Sequence, residues 1–347
     1  MNAQPEPTRV LICEDSRTYA AVLKRAIEHD GDITVVVVAP SGEAALTALE
    51  TTTVDVVTMD IELPGMNGLE AVEQIMGSRP CPILIISSHL GTSSEHAAAA
   101  LAAGALDAAS KDNLDLIDPE SKSATALRAR IRQIRNVPVI NHPRSRLRSR
   151  LLPSSDAPSG AVIAICASTG GPQALRSVLS LLPATFAIPI VVIQHIASGF
   201  GRGLSDWLNA EIALPVRLAA PGDQATHGVS IAPDDVDLRL GPGGSFRFDR
   251  TEPAGLYRPS GDALLTSVAQ VAGTLAVAVV LSGMGRDGAA GARAVREAGG
   301  TVLAQDEASS AVYGMPKVAA LEAGATVLGL DEIAARLLSL RPRPFPT

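Results

Sequence analysis

The sequence predicts an α/β chain made of two doubly wound parallel-sheet domains, the second with a β-hairpin added. Three observations predict it. In the first third, five short apolar runs alternate with helix-length stretches. Residues 136–160 break that pattern with a segment rich in Pro, Ser and Arg. From Ala161 a second alternation starts and runs to about residue 340. The expected boundaries are 7–137 for the first domain, 138–160 for a linker and 161–342 for the second domain.

The first-domain strands are expected at Arg9–Glu14, Ile33–Ala39, Val54–Met59, Pro82–Ser87 and Leu106–Ser110. Helix-like stretches at Ser16–His29, Ser41–Glu50, Gly68–Gly77 and Ser94–Ala103 separate them, and Thr125–Arg135 closes the domain. In the linker, Arg144, Arg146, Arg148 and Arg150 alternate with other residues, which reads as a solvated connection. In the second domain, Ala161–Ala167, Ile188–Gln194 and Leu275–Leu281 are continuous apolar runs bounded by Gly or Pro, the pattern of strands buried on both faces. Further strands are expected at Val216–Ala219, Val229–Ala232 and Thr301–Ala304. Leu238–Leu240 and Ser245–Phe248, joined by Gly241-Pro-Gly-Gly244, read as an antiparallel hairpin.

Composition narrows the function classes. The 347 residues are 46% hydrophobic and 19% charged, the balance of a globular chain. Aromatics are only 3%, so the cores must be aliphatic. A net charge of -7 argues against a nucleic-acid binder, whose phosphate contacts need a basic surface. Cys13, Cys81 and Cys166 lie in or beside apolar runs without metal-ligand spacing and read as buried thiols. The first residues lack the pattern of a signal peptide, and no apolar run reaches the length of a membrane span. A cytoplasmic protein with no direct membrane insertion is expected.

In a parallel sheet, chemistry gathers beyond the carboxyl ends of the strands. In the first domain those ends carry Glu14-Asp15, Asp60, Ser87 and Lys111. Three carboxylates make a hard-cation site suited to Mg²⁺, held by Glu14, Asp15 and Asp60. Asp60 is the expected phosphate acceptor, with Ser87 and Lys111 as ligands of the phosphoryl oxygens. In this order the residues resemble the receiver domain of two-component response regulators. The resemblance implies phosphorylation of Asp60, Mg²⁺ on the acidic cluster, Ser87 as switch hydroxyl and a histidine kinase as phosphodonor. Receivers usually carry Pro after the lysine, and Asp112 stands there in this chain.

In the second domain the strand ends carry Ser168, His195 and Asp287, a hydroxyl, an imidazole and a carboxylate. That set serves nucleophile, base and orienter. Ser168 lies in Cys166-Ala-Ser-Thr-Gly-Gly-Pro172, where glycines permit a tight turn and Pro suits a helix start. The N–H groups there, from Thr169, together with Met284 in Gly283-Met-Gly-Arg-Asp287, are the expected oxyanion donors. Asp262 and Asp306 are rival carboxylates ranked below Asp287. A glycine-rich turn before a helix also binds phosphates, so a nucleotide-binding output domain stays open as an alternative.

The segments Ala-Ser-Thr-Gly-Gly-Pro, Gln-His, Tyr-Arg-Pro-Ser, Leu-Ser-Gly-Met-Gly-x-Asp-Gly and Asp-Glu-Ala-Ser-Ser…Tyr-Gly-Met-Pro-Lys, behind a receiver, resemble the CheB family of protein-glutamate methylesterases. The resemblance implies a triad of Ser168, His195 and Asp287. It also implies hydrolysis of glutamate γ-methyl esters on methylated chemoreceptors and deamidation of receptor glutamines; the linker and the domain order add the expectation that the unphosphorylated receiver covers the triad edge and that phosphorylation relieves this inhibition. A related esterase in another signalling pathway fits the same residues. Two departures flank the cleft: Ile196-Ala-Ser-Gly-Phe200 follows His195, and Pro-Ser-Gly-Asp262 replaces the usual Pro-Ser-Val-Asp.

Overall fold

A computed structural model describes residues 6–88, 99–100, 103–135, 137, 160–196, 199–251 and 258–340. The chain divides into two compact units, Met1–Arg144 and Ser145–Thr347. The expected linker and most of the expected helix Ser94–Ala103 lie outside the described residues.

The first unit is a five-stranded, all-parallel sheet in the order β2-β1-β3-β4-β5. Its strands are β1 (Thr8–Cys13), β2 (Ile33–Ala39), β3 (Val56–Met59), β4 (Ile83–Ser87) and β5 (Asp107–Ser110). This is the flavodoxin-like order, whose ligand site lies beyond β1 and β3. Helices described over their whole length are α1 (Arg17–Glu28), α2 (Gly42–Thr51), α3 (Gly68–Ser78) and α4 (Lys122–Ile134). Ser16, Ser41, Asn67 and Ser121 accept from the first-turn amides of these four helices in turn. Each such cap is worth about 1 kcal/mol. Gly68 has no room for a side chain, because a Cβ there would sit 2.1 Å from the Asp60 carbonyl. α3 therefore starts tight against the end of β3. At the far end of the unit, buried Arg128 on α4 donates to Asp30, to the Ala26 carbonyl and to the Pro119 carbonyl, tying α4 to α1.

The second unit holds a seven-stranded, all-parallel sheet in the order β14-β13-β12-β6-β7-β9-β8. Its strands are β6 (Val162–Ala167), β7 (Ile190–Gln194), β8 (Val216–Leu218), β9 (Val229–Ile231), β12 (Ala276–Val280), β13 (Thr301–Gln305) and β14 (Thr326–Leu328). β6 is central. Its Ile163, Ile165 and Ala167 enter one apolar layer, and its Val162, Ala164 and Cys166 enter the other. That alternation is why an uninterrupted apolar run is required: each aliphatic side chain buried there contributes about 1.5–3 kcal/mol.

The helices of this unit are α5 (Gly171–Leu179), α6 (Gly201–Glu211), α7 (Gly261–Ala272), α8 (Ala289–Glu297), α9 (Met315–Ala323) and α10 (Leu330–Leu338). The hairpin β10 (Asp237–Leu240) and β11 (Phe246–Asp249) is antiparallel and forms a ladder of its own. It rests on α7, where Ser267 Oγ accepts from the Leu240 amide at 2.9 Å. No helix among the described residues is long and apolar enough to cross a membrane.

Candidate active site

Ser168 and His195 are the first residues beyond the paired ends of neighbouring strands. The β6–β7 ladder closes with Ala167 opposite Gln194, and the His195 amide still donates to the Ala167 carbonyl at 2.9 Å. Asp287 follows β12, the neighbour of β6 on its other side. His195 Nε2 nevertheless lies 2.8 Å from Asp287 Oδ2. β7 and β12 stand two strand spacings apart, about 9.6 Å. The imidazole and the Asp287 loop therefore come in from the two sides and meet at the end of β6, the strand that Ser168 follows. All three residues are buried.

The Asp287 carboxylate accepts more than the imidazole. Oδ2 also accepts from the Gly261 amide at 2.6 Å, and Oδ1 accepts from the Asp262 amide at 3.0 Å and from Ser260 Oγ at 3.3 Å. Asp287 thus sits at the N-terminus of α7, where free N–H groups and the helix dipole favour an anion. Burial alone would raise its pKa. The imidazole and the two backbone donors outweigh burial and hold the carboxyl below its ordinary value. An acceptor-only carboxylate requires a proton on Nε2, which makes Nδ1 the basic nitrogen of the neutral ring.

Asp262 serves another partner. Its Oδ1 accepts from the Gly291 amide in the first turn of α8 at 2.8 Å. The two carboxylates are exchanged: Asp287, just before α8, secures α7, and Asp262, on α7, secures α8. Burial first, then the charge of Asp287, keeps the Asp262 carboxyl above its ordinary value. Asp306 holds a turn by accepting from Ser309.

The turn after Ser168 is closed by short contacts. Gly170 has φ +74°, and a Cβ there would lie 2.3 Å from Ala311 Cβ. A Cβ on Gly171 would lie 2.1 Å from Gln194 Oε1. The Gly171 amide turns back to the Ser168 carbonyl at 2.7 Å, so the first amide of α5 is already engaged within the loop. The Gly283 backbone abuts Ser168: a Cβ there would lie 2.7 Å from Ser168 Cβ. Met284, half-buried, is the next residue. Ser282 and Gln305, both fully buried, join the loops. Ser282 Oγ donates to the Thr169 carbonyl at 2.7 Å and accepts from the Val312 amide at 2.9 Å, while Gln305 Oε1 accepts from the Ser282 amide at 2.7 Å.

The residues that sequence reasoning missed are Gln194, Ser260, Ser282 and Gln305. Gln194 directly follows four apolar residues of β7 and Gln305 three of β13, and a polar residue there, buried among aliphatics, is the signal that could have found them.

In the first unit, Glu14, Asp15 and Asp60 present carboxylate oxygens within 4.8 Å of one another. Glu14 and Asp60 are buried and Asp15 is exposed. An all-oxygen acidic set with one open side fits a hard divalent cation that keeps part of its water. Lys111 Nζ lies 2.5 Å from Asp60 Oδ2, 2.8 Å from Glu14 Oε2 and 4.7 Å from the Tyr19 ring centroid. Burial, only partly offset by Lys111, raises the pKa of both carboxyls. Lys111 opens a 3₁₀ turn, Lys111–Asn113, so Asp112 in place of the family's Pro leaves its reach to Asp60 intact. Ser87 Oγ is buried and, among the described residues, has no hydrogen-bond partner.

Comparison with known proteins agrees with both units. Residues 163–337 match the CheB methylesterase family, and residues 10–117 match the response regulator receiver domain. The chain is 40% identical over 322 residues to protein-glutamate methylesterase/protein-glutamine glutaminase 3 of Paramagnetospirillum magneticum, covering 89% of each chain. It belongs to the CheB methylesterase family. It is also 39% identical over 328 residues to protein-glutamate methylesterase/protein-glutamine glutaminase 4 of Myxococcus xanthus, covering 90% of this chain and 91% of the other. Among solved structures, the Thermotoga maritima CheB methylesterase catalytic domain aligns with a TM-score of 0.51 at 37% identity, covering 53% of this chain and all of its own. The chain is therefore an enzyme, a hydrolase of the methylesterase class with a response regulator receiver domain ahead of it.

Proposed function

We propose that this chain removes methyl groups from glutamate γ-methyl esters on chemoreceptors, and deamidates receptor glutamines, under control of phosphorylation at Asp60. The observation that carries the hydrolytic reading is the 2.8 Å contact of His195 with Asp287 across the strand end that bears Ser168.

Ser168 Oγ attacks the ester carbonyl carbon while His195 takes its proton at Nδ1. The carbonyl oxygen becomes an oxyanion, met by the N–H groups of Thr169 and Met284. The tetrahedral adduct collapses: the C–OCH₃ bond breaks and the imidazolium protonates departing methanol, or ammonia in deamidation. Water, deprotonated by His195, then attacks the acyl-enzyme, and the proton passes back to Ser168. Asp287 holds the ring in one tautomer and stabilises it when charged. The receptor carboxylate is restored.

In the receiver, an Asp60 oxygen attacks the phosphorus of a phosphodonor, a kinase phosphohistidine or acetyl phosphate. A P–O bond forms and the P–N or acyl P–O bond breaks. Glu14, Asp15 and Asp60 would hold Mg²⁺, and when bound it would supply charge neutralisation for phosphoryl transfer to Asp60. Lys111 and Ser87 meet the added oxygens.

The test is methanol release from methylated receptor, with and without acetyl phosphate. Wild type releases methanol and is stimulated by the phosphodonor. Ser168→Ala releases none. Methanol release by Ser168→Ala at the wild-type rate would overturn the mechanism.

A further inference from the structure

Gln194 ends β7 and is 4% exposed. Its Nε2 donates to two backbone carbonyls, Ser168 O at 2.8 Å and His195 O at 3.0 Å. One side-chain amide thus spans the gap between β6 and β7 and holds the two residues that the serine-hydrolase reading, on which this inference rests, makes nucleophile and base. The amide is oriented for donation at a cost: Oε1 is buried and, among the described residues, has no hydrogen-bond partner. A buried acceptor without a partner is costly in a core, and its survival points to a function for the two donors. Gly171 leaves the space this amide needs.

The consequence lies in the peptide plane. In a planar trans peptide the C=O and the following N–H point in opposite directions. The Ser168 carbonyl is pinned from one side by Gln194 Nε2 and by the Gly171 amide at 2.7 Å. The Thr169 N–H must then point the other way. We infer that Gln194 is a positioning residue that fixes the direction of the Thr169 N–H, and so presets the oxyanion donor beside Ser168. It touches no reacting atom. Its effect belongs to the transition state, where charge develops on the carbonyl oxygen.

The experiment uses the full chain with p-nitrophenyl acetate as a small acyl probe, comparing wild type, Ser168→Ala, Gln194→Met and Gln194→Glu. Methionine keeps the length of the side chain and removes both donors and the orphan oxygen, so the thermal midpoint followed by Trp207 fluorescence stays near wild type. The Gln194→Met variant is expected to lose about ten- to a hundredfold in kcat, with KM changed less than about threefold. The acid limb of its pH profile stays in place, because Gln194 does not ionise. Glutamate regains one donor when protonated, so kcat of Gln194→Glu relative to wild type rises as pH falls. Wild-type kcat in Gln194→Met, or a loss carried by KM alone, overturns the inference. A Gln194→Glu deficit that does not change with pH also overturns it. Hydrolysis surviving in Ser168→Ala instead overturns the hydrolase reading, and this inference falls with it. An inactive Ser168→Ala beside a fully active Gln194→Met removes the Gln194 role alone.

Discussion

Replacing Asp287 by alanine tests two roles with one change. The carboxylate accepts four hydrogen bonds, from His195, Gly261, Asp262 and Ser260. Its loss leaves the Gly261 and Asp262 amides of α7 without their acceptor. Each buried, unpaired donor costs about 1–3 kcal/mol, so the variant should be destabilised by about 2–5 kcal/mol. For a domain of this size that is a fall of about 5–15 °C in midpoint. The chain has one tryptophan, Trp207 on α6, so its fluorescence reports on the second unit alone. The chemical loss should be larger, on the order of 10⁴-fold in kcat at a temperature where the variant is folded.

The pH dependence of the stability term has a definite sign. The native carboxyl is held below its ordinary value, so its contribution is complete above the unfolded value of about 3.9 and fades as pH falls through the native value. The stability gap between wild type and Asp287→Ala should therefore be flat near neutrality and narrow below about pH 4. A kcat within tenfold of wild type would refute the orienting role. An unchanged midpoint would refute the anchoring of α7.

Other expectations follow from single contacts. Gly170→Ala forces a side chain into a left-handed backbone and against Ala311, and should cost about 1–3 kcal/mol by Trp207 fluorescence together with most of the esterase activity. Asp60→Asn should abolish stimulation by acetyl phosphate while leaving the unstimulated rate unchanged, measured as methanol release. Asp15→Asn removes one exposed carboxylate from the acidic cluster. It should raise the Mg²⁺ concentration needed for half-maximal phosphorylation, read by phosphoprotein gel.

Much of the fold was legible because its strands are short and apolar on both faces. The runs at β1, β2, β4, β6 and β13 lie within about a residue of their expected bounds. The pattern failed where hydrophobicity and hydrogen bonding part company. Ile188 and Pro189 belong to the expected run but precede the ladder, which opens at Ile190. β14 is three residues at a sheet edge with Thr326 and Val327 exposed, so it carries no apolar run to notice. The insertion of β9 between β7 and β8 is a pairing choice between distant segments, which periodicity does not encode.

The candidate site divides in the same way. Ser168 and His195 each stand directly after an apolar run, while Asp287 lies six residues beyond Leu281, in the glycine-rich loop that follows that run. Gln194, Ser260 and the different duty of Asp262 depend on which loops meet, and their residue types are common in surface turns. Asp262 illustrates the limit: the sequence ranks it below Asp287 as a rival, and its separate duty emerges from the engagement of its oxygen with Gly291 while Asp287 meets His195.

The exchange of carboxylates between α7 and α8 has a consequence for recombination. Each helix keeps its opening amides satisfied with an acid from the other's neighbourhood. Transplanting either helix by itself into a cousin with altered spacing would strand polar groups in an oily seam. The smallest exchangeable cassette is therefore the whole stretch 260–297, and chimeras cut inside it should misfold more often than chimeras cut at its margins.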